Sequence, residues 1–405
     1  MRGLASDSLL IWITLLFVII ELITYMGVSN SIKNSRARRV FVVIYRATAL
    51  FVLFMWFFAY GNIEKIKHTE SYSLFYFVNT LLILNYIPKI VLSFFITIAF
   101  IIRFSGFKRK IHIIVACGII IWFGLSLSII YGIFIERKII AVENITVPIS
   151  SLPEELNGLK IVQISDLHLA SFNNNRFLER CVKKVNDIQP DLLFFTGDIV
   201  NNHYREMFGF ESQMTDFEAK YGKFAILGNH DYGNYADWKT PEDKLYNNEK
   251  IKEMLIKAGF NLLRNEACKL EISGTSLYVI GTEDWGHREH HNYSNLDKAM
   301  EYVDNESFRI LLAHNPQQWR EQILPETNIP LTLSGHTHGG QAGFKIAGMH
   351  FSFMQIIEKN WGGLYHADNQ YLYVNRGLGC VGALCRVGMK PEITTITLKS
   401  ATKMR

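Results

Sequence analysis

Five short motifs carry the residues able to do chemistry: Asp166-Leu167-His168, Gly197-Asp198, Gly228-Asn229-His230-Asp231, the single His314, and Gly335-His336-Thr337-His338. Their polar side chains are imidazoles, carboxylates and one amide, with no thiol among them. Imidazole suits zinc, iron, manganese or nickel, and carboxylate and amide oxygens favour harder ions. Taken singly, each has a plain explanation: an Asp or Asn after a strand is commonly a turn residue, and a lone His is a solvated or hydrogen-bonded side chain. Taken together they are different, because imidazoles and carboxylates gathered at one place are costly without a cation to compensate them. The set is too large for one ion. Two ions sharing a bridging carboxylate, about 3.5–4 Å apart, fit the count. Such a pair neutralises a phosphoryl group, orients in-line displacement and yields hydroxide at neutral pH.

Each motif follows a run that reads as a buried strand: Lys160–Ser165, Asp191–Thr196, Phe224–Leu227, Arg309–Ala313 and Leu331–Ser334. Short continuous apolar runs suit strands covered on both faces. Between the first two, Phe177, Leu178, Cys181, Val182, Val185 and Ile188 recur at helical spacing and predict a helix over Arg176–Ile188. Thr240 reads as a helix cap with Pro241 in the first turn. Strands alternating with helices imply an α/β layer fold. In such sheets ligands bind beyond the carboxyl ends of the strands, where all five motifs fall. The glycines let the chain turn tightly and bring backbone close to a ligand.

D-x-H, G-D, G-N-H-D, a later His and G-H-T-H, in that order, resemble the calcineurin-like metallophosphoesterases over most of residues 143–398. Asn375-Arg376-Gly377-Leu378-Gly379, Arg386 and Pro391-Glu392-Ile393, with the approach Leu152-Pro153 … Leu156-Asn157-Gly158-Leu159-Lys160, look like a bacterial membrane-associated branch. The resemblance implies an α/β/β/α sandwich and two divalent ions, manganese, iron or zinc. It implies that Asp166, His168 and His338 hold one ion, that Asn229, His314 and His336 hold the other, and that Asp198 bridges. It also implies that His230 and Asn229 contact the substrate, and that His230 protonates the leaving oxygen with Asp231 orienting it. An imidazole titrates near working pH, as a general acid must.

Residues 1–138 differ from the rest. Of the chain's 42 Lys and Arg and 37 Asp and Glu they hold 15 and 5, a net of +10, so residues 139–405 net −5. A catalytic module without a basic footprint argues against nucleic acid as its main partner. Four stretches, about 9–28, 40–60, 74–102 and 111–135, have the ~20 apolar residues a membrane span needs. The first lacks a cleavage site, so it reads as a span and not a signal peptide. The third contains Asn85, Pro88 and Lys89 and reads as one kinked span, with two re-entrant halves as the alternative. The chain is therefore expected to have a transmembrane four-helix module over 1–138 and a phosphoesterase domain over 139–405. Lys33, Arg36, Arg38 and Arg39 in one loop, and Arg103, Lys108, Arg109 and Lys110 in another, place those loops in the cytoplasm. Against them stand only Lys65 and Lys67 in the loop between. The catalytic domain would then lie on the non-cytoplasmic face of the membrane, although Arg137 and Lys138 after the last span pull the other way.

Glu21 and Arg46 fall inside spans and read as a charge pair or snorkelling side chains that stabilise the bundle. Cys117, Cys181, Cys268, Cys380 and Cys385 form neither a disulfide framework nor a thiolate zinc site, with a Cys380–Cys385 bridge left open. His287, His290 and His291 read as a solvated loop, with a part in the cleft as the alternative. The aromatic segment Phe351–Tyr373, including Trp361 and Tyr365, reads as buried against the sheet, with lipid or substrate contact as the alternative. The function expected from all this is a membrane-anchored dinuclear phosphoesterase. Its partners are the bilayer and a phosphorylated substrate, in the lipid-linked case a UDP-diacylglucosamine-like molecule by family analogy. The competing readings are an outward-facing nucleotidase or nuclease, and a membrane sensor or transporter whose phosphoesterase-like module only binds metal.

Overall fold

The four apolar stretches fold as the long helices α1 (Arg2–Ser31), α2 (Ser35–Gly61), α3 (Ser73–Phe104) and α4 (Ile111–Phe134). This is seen in a computed structural model, which describes residues 2–61, 72–104, 111–172, 174–286 and 292–401. The shortest of the four, α4, has 24 residues, or roughly 36 Å at 1.5 Å per residue, more than the ~30 Å hydrocarbon core. The third stretch is one continuous helix with Pro88 inside it, not two halves. Lys65, Lys67, Lys108, Arg109 and Lys110 lie outside the described residues. Contacts divide the chain into two units, one built from the four helices up to Ile133 and one running from Phe134 onward.

Within the helical unit the apolar surface faces outward, with Trp12, Val43, Phe54, Phe100 and Ile120 all exposed. The polar groups turn inward. Glu21 pairs with Lys89, whose Nζ lies 2.8 and 3.0 Å from the two carboxylate oxygens. Asn85 donates to the same carboxylate at 3.2 Å, and the Tyr45 hydroxyl donates to its other oxygen. Arg46 takes no part in this pair; it lies over the Tyr25 ring and donates to its hydroxyl at 3.2 Å. The Glu21 cluster draws α1, α2 and α3 together where an unpaired charge would face hydrocarbon. Replacing Lys89 with Leu strands the carboxylate and is expected to cost about 3–5 kcal/mol. Thermal unfolding of the full chain in detergent measures it, and the Glu21→Leu, Lys89→Leu double variant should recover most of the loss.

The second unit is built on two six-stranded sheets. One has the order β1 (Ala141–Ile149), β14 (Glu392–Ser400), β2 (Lys160–Ile164), β3 (Leu192–Phe195), β4 (Lys223–Ala225), β5 (Phe260–Leu262). The other has β12 (Gly363–Ala367), β13 (Gln370–Val374), β9 (Leu331–Ser334), β8 (Phe308–Leu312), β7 (Thr275–Gly281), β6 (Glu266–Ile272). Strand alternation divides the side chains into layers. Ile161, Leu192, Phe194 and Phe224 of the first sheet meet Leu277, Ile310, Leu331 and Tyr373 of the second in one core. The neighbours Val162, Ile164, Leu193 and Phe195 point the other way, onto α5 (Arg176–Ile188) and α6 (Pro241–Lys257), through Leu178, Val185, Ile251 and Leu255. On the far side of the second sheet, Ile280, Leu311 and Val374 pack on Leu296, Trp319 and Ile323. The layers are therefore α/β/β/α. The start of α6 is fixed as its sequence implies: Thr240 Oγ1 accepts from the Asp243 amide and the Asp243 carboxylate accepts from the Thr240 amide.

Candidate metal centre

The parallel strands β2, β3 and β4 of one sheet, and β8 and β9 of the other, run the same way and deliver their motifs to one end of the sandwich. Two groups of potential ligands form there, each with its ligand atoms within 4.8 Å of one another: Asp166, His168 and His338, and Asp198, His314 and His336. In the first, His168 Nε2 lies 3.1 Å from His338 Nε2, which is 3.4 Å from Asp166 Oδ1. In the second, His314 Nε2 faces Asp198 Oδ2 at 3.2 Å and Asn229 Oδ1 at 3.1 Å, and His336 Nδ1 lies 2.8 Å from the same amide oxygen. Asp198 Oδ2 is also 3.5 Å from His168 Nε2, so a single carboxylate oxygen faces both groups. All seven side chains expected to bind metal are thus brought together.

The protonation pattern fits cations. His314 Nδ1 lies 2.7 Å from the Thr196 carbonyl, where only an N–H belongs. In the neutral ring that leaves the Nε2 lone pair pointing at two oxygens, a repulsive arrangement that a divalent ion between them would turn into coordination. The Thr196 carbonyl is then the outer partner that fixes the ring's tautomer. Electrostatics point the same way. Burial pushes the Asp166 carboxyl up to about 7 and that of Asp284, further along the same rim, also to about 7. Burial likewise opposes ionisation of Asp198, but the neighbouring imidazoles, His314 first, outweigh it and hold Asp198 well below the carboxylate range. His314 shows the reverse balance: burial opposes its charged form, and Asp198 beside it pushes it up to about 10. Buried carboxylates that need positive charge to ionise are what a dication site requires.

The backbone is bent to make this possible. Asp166, His168, Asp198, His336 and His338 all have positive φ, between 40° and 74°. A non-glycine residue held there costs roughly 1 kcal/mol or more, and such residues collect at functional sites. Two glycines have a steric reason. A Cβ on Gly228 would sit 2.2 Å from Asp198 Oδ1, and one on Gly335 would sit 2.4 Å from Asp166 Oδ2. Both are positions where backbone must pass against a candidate ligand carboxylate.

His230 lies beside the first group. Its ring is 4.8 Å from that of His168, and it forms a third possible ligand group with His168 and Asp198. Its amide donates to Asp198 Oδ1 at 2.9 Å and its Nδ1 lies 2.8 Å from the Asn201 carbonyl. Asp231 does not orient this ring, contrary to the role the family resemblance implied. Its buried carboxylate instead accepts from the amides of Asp198, Gly228 and Ile199, each at 2.9 Å, and from Val200 at 3.3 Å. It ties the β3 and β4 loops together, and the orienting contact to His230 comes from the Asn201 main chain.

Several neighbours carried no signal in the sequence. Tyr235 accepts from Asn229 Nδ2 at 2.8 Å and lays its ring 4.6 Å from His230. Asp284 is buried with Oδ1 lacking a hydrogen-bond partner. Arg386 is fully buried, held by the carbonyls of Arg376, Gly379 and Met389. Of these, only Arg386 belongs to a motif visible in the sequence, and that motif gives it no role. His287, His290 and His291 lie outside the described residues. Trp361 is buried and its amide donates to the Tyr365 hydroxyl, in keeping with packing against the sheet, whereas Phe353 in the same aromatic segment is exposed. None of the five cysteines is in a disulfide, so the Cys380–Cys385 bridge is not formed.

The calcineurin-like phosphoesterase profile matches residues 159–340. An uncharacterized metallophosphoesterase of Bacillus subtilis, YkuE, is 31% identical over 287 residues, covering 67% of this chain and 89% of its own. A transmembrane protein with metallophosphoesterase domain from Danio rerio is 28% identical over 281 residues, 67% of this chain and 60% of its own length. The uncharacterized metallophosphoesterase Cj0846 of Campylobacter jejuni is 27% identical over 376 residues, 89% of this chain and 88% of its own, so that likeness extends into the helical unit.

Proposed function

Because this chain belongs to the calcineurin-like phosphoesterase family, we propose that it is a membrane-anchored hydrolase that cleaves phosphate esters with two divalent ions. The observation that carries this reading is the single Asp198 oxygen facing two ligand groups at the strand ends. Asp166, His168 and His338 would hold one ion, Asn229, His314 and His336 the other, with Asp198 between them. Bound there, the ions would supply the charge that neutralises a phosphoryl group and makes water acidic enough to attack near neutral pH. The chain's own residues do the rest. The Asn201 carbonyl holds His230 by Nδ1, so Nε2 is the position free to exchange a proton with the departing oxygen. Tyr235 covers the Asn229 and His230 side of the site, and Asp231 keeps the two loops in register.

A substrate at the bilayer surface, a lipid-linked phosphate or pyrophosphate, is the reading we favour over a soluble nucleotide. Two features support it. Four spans tether the chain, and the catalytic unit begins at the end of its sheet that bears the ligands, with Ala141 beside Glu392 and Thr394 beside Gln163. The basic loop of Lys33, Arg36, Arg38 and Arg39 supports a non-cytoplasmic catalytic unit. A reporter active only in the cytoplasm, fused after Arg405, would overturn that orientation if it gave signal.

The test is hydrolysis by the purified full chain, loaded with manganese, iron or zinc, on an aryl phosphodiester, a nucleotide panel and lipid pyrophosphates. Activity should appear with metal, vanish with a chelator, and be greatest on a lipid substrate in mixed micelles. Equal inertness of the chain and its His230→Ala variant with every metal and substrate would sink the enzyme reading and favour a binding or sensing role.

A further inference from the structure

Beyond the metal centre, β10 (Gly343–Ile346) and β11 (Met349–Ser352) form a two-stranded hairpin of inverted polarity. The tip residues Ala347 and Gly348 both have positive φ, the conformation that closes a tight hairpin. Register places Phe344 opposite Phe351 and Ile346 opposite Met349 on one face, with Lys345 opposite His350 on the other. The polar face is turned to the protein: Lys345 Nζ and His350 Nε2 lie 3.5 and 3.4 Å from Glu143 Oε1. The apolar face is turned away from it, with Phe344, Ile346 and Met349 more than half exposed. The turn that follows continues the surface, since Phe353, Ile356 and Ile357 are 78%, 79% and 79% exposed. A soluble surface seldom leaves so many large apolar side chains side by side without a partner.

The root of the hairpin lies close in sequence and contact to the end of a membrane-length helix. The Gly343 amide donates to the Val387 carbonyl at 2.8 Å, and the next amide, that of Gly388, donates to Glu136 Oε2 at 2.9 Å. Glu136 is two residues past Phe134, the last residue of the fourth membrane-length helix, so roughly 7 Å of chain separates them. Cations gather beside Glu136 and the two residues after it. Lys345 and Lys390 line a cavity of about 220 Å³ beside Glu136. Arg137, Lys138, Arg176 and Arg180 line another of about 330 Å³ whose lining has no carboxylate. Apolar side chains at a tip with Lys and Arg behind them form the pattern of an element seated in the lipid interface and attracted to anionic head groups.

We propose that this hairpin and the following turn, through Phe344, Ile346, Met349, Phe353, Ile356 and Ile357, dip into the bilayer that anchors the chain, with the flanking cations against anionic lipid phosphates. The depth is interfacial, because the outer edges of a two-stranded hairpin leave backbone groups that hydrocarbon cannot satisfy. Ser352 Oγ donates to the carbonyl of Gly339, at 2.7 Å, or of Ala342, at 2.8 Å. That contact couples the seated hairpin to the loop that begins at His338. The inference does not depend on catalysis, since its measure is depth and not turnover.

The test uses the full chain in nanodiscs of phosphatidylcholine and phosphatidylglycerol, with Cys117 and Cys268 replaced by Ser. An environment-sensitive fluorophore is placed at Met349→Cys or Ile356→Cys, and at Tyr302→Cys as control. Tyr302 is 83% exposed and precedes β8, at the end of that strand away from His314. Lipids carrying a doxyl group on the acyl chain should quench the first two labels at least twofold and leave the third unchanged. Adding Phe353→Asp and Ile356→Asp to the Met349→Cys chain should abolish the quenching. Labels at both hairpin sites that stay unquenched and water-exposed would overturn the proposal. So would labels shielded equally in detergent, on a chain of doubled mass, which would make a second copy the occupant.

Discussion

Replacing His230 with Ala is expected to lower turnover by about 100- to 10,000-fold, the range for loss of a positioned general acid, while both ions stay bound. In the proposed mechanism this ring acts on the substrate; its Nδ1 is held by the Asn201 carbonyl, and the ring packs against those of His168 and Tyr235. A general acid has a signature that a structural residue lacks. The loss should be largest for an alkoxide leaving group, which needs a proton to depart, and should shrink toward tenfold or less for a nitrophenolate, which does not. Metal content per chain, measured beside kcat, decides the assignment. His230 lies within ligand distance of His168 and Asp198, so a variant that retains only one ion would make it a ligand and move the acid elsewhere. Removing the Asp231 carboxylate, by contrast, should act through stability, because four buried main-chain amides lose their acceptor.

The sequence was most informative where chemistry and periodicity coincide. The helix over Arg176–Ile188 was legible because Leu178, Cys181, Val182 and Val185 repeat with its turn, and they are the residues that are buried. The strands before each motif were legible as short apolar runs because both faces of each sheet are covered. What escaped was whatever depends on distant segments meeting. β1 and β14 pair in parallel although Ile393 lies 251 positions after its partner Val142, and nothing local marks that partnership. Lys89 could be seen as a charge in a span, but not as the partner of Glu21, because side-chain direction on two helices decides it. Arg46 was the other candidate, and it faces Tyr25 instead. Asn201 acts through its carbonyl, which every residue possesses, so no residue type could announce it. The left-handed φ of five of the candidate ligands is likewise a product of loop packing. The segment Phe351–Tyr373 could be noticed as aromatic, but the inverted polarity of the hairpin that leads into it follows only once Lys345 and His350 are seen to face Glu143.

Asp198 offers the second large effect, and it separates a bridged pair of ions from two independent ones. Its Oδ2 lies between His314 Nε2 and His168 Nε2, and Oδ1 accepts the His230 amide. Asp198→Asn keeps the shape and that amide contact but removes the charge both ions would share. Losing several kcal/mol of charge stabilisation corresponds to a fall of roughly 1000-fold or more in kcat. The affinity for both ions should weaken together. His338→Ala, which touches only the group with Asp166 and His168, should weaken one ion and leave the other titrating normally. Two-phase metal titration followed by calorimetry distinguishes the cases: the His338 variant should lose one phase, the Asp198 variant both. If Asp198→Asn loses only one phase, the two sites are not coupled through this carboxylate. The strained backbone at Asp198, with φ of 58°, would then need another explanation than holding one oxygen between two cations.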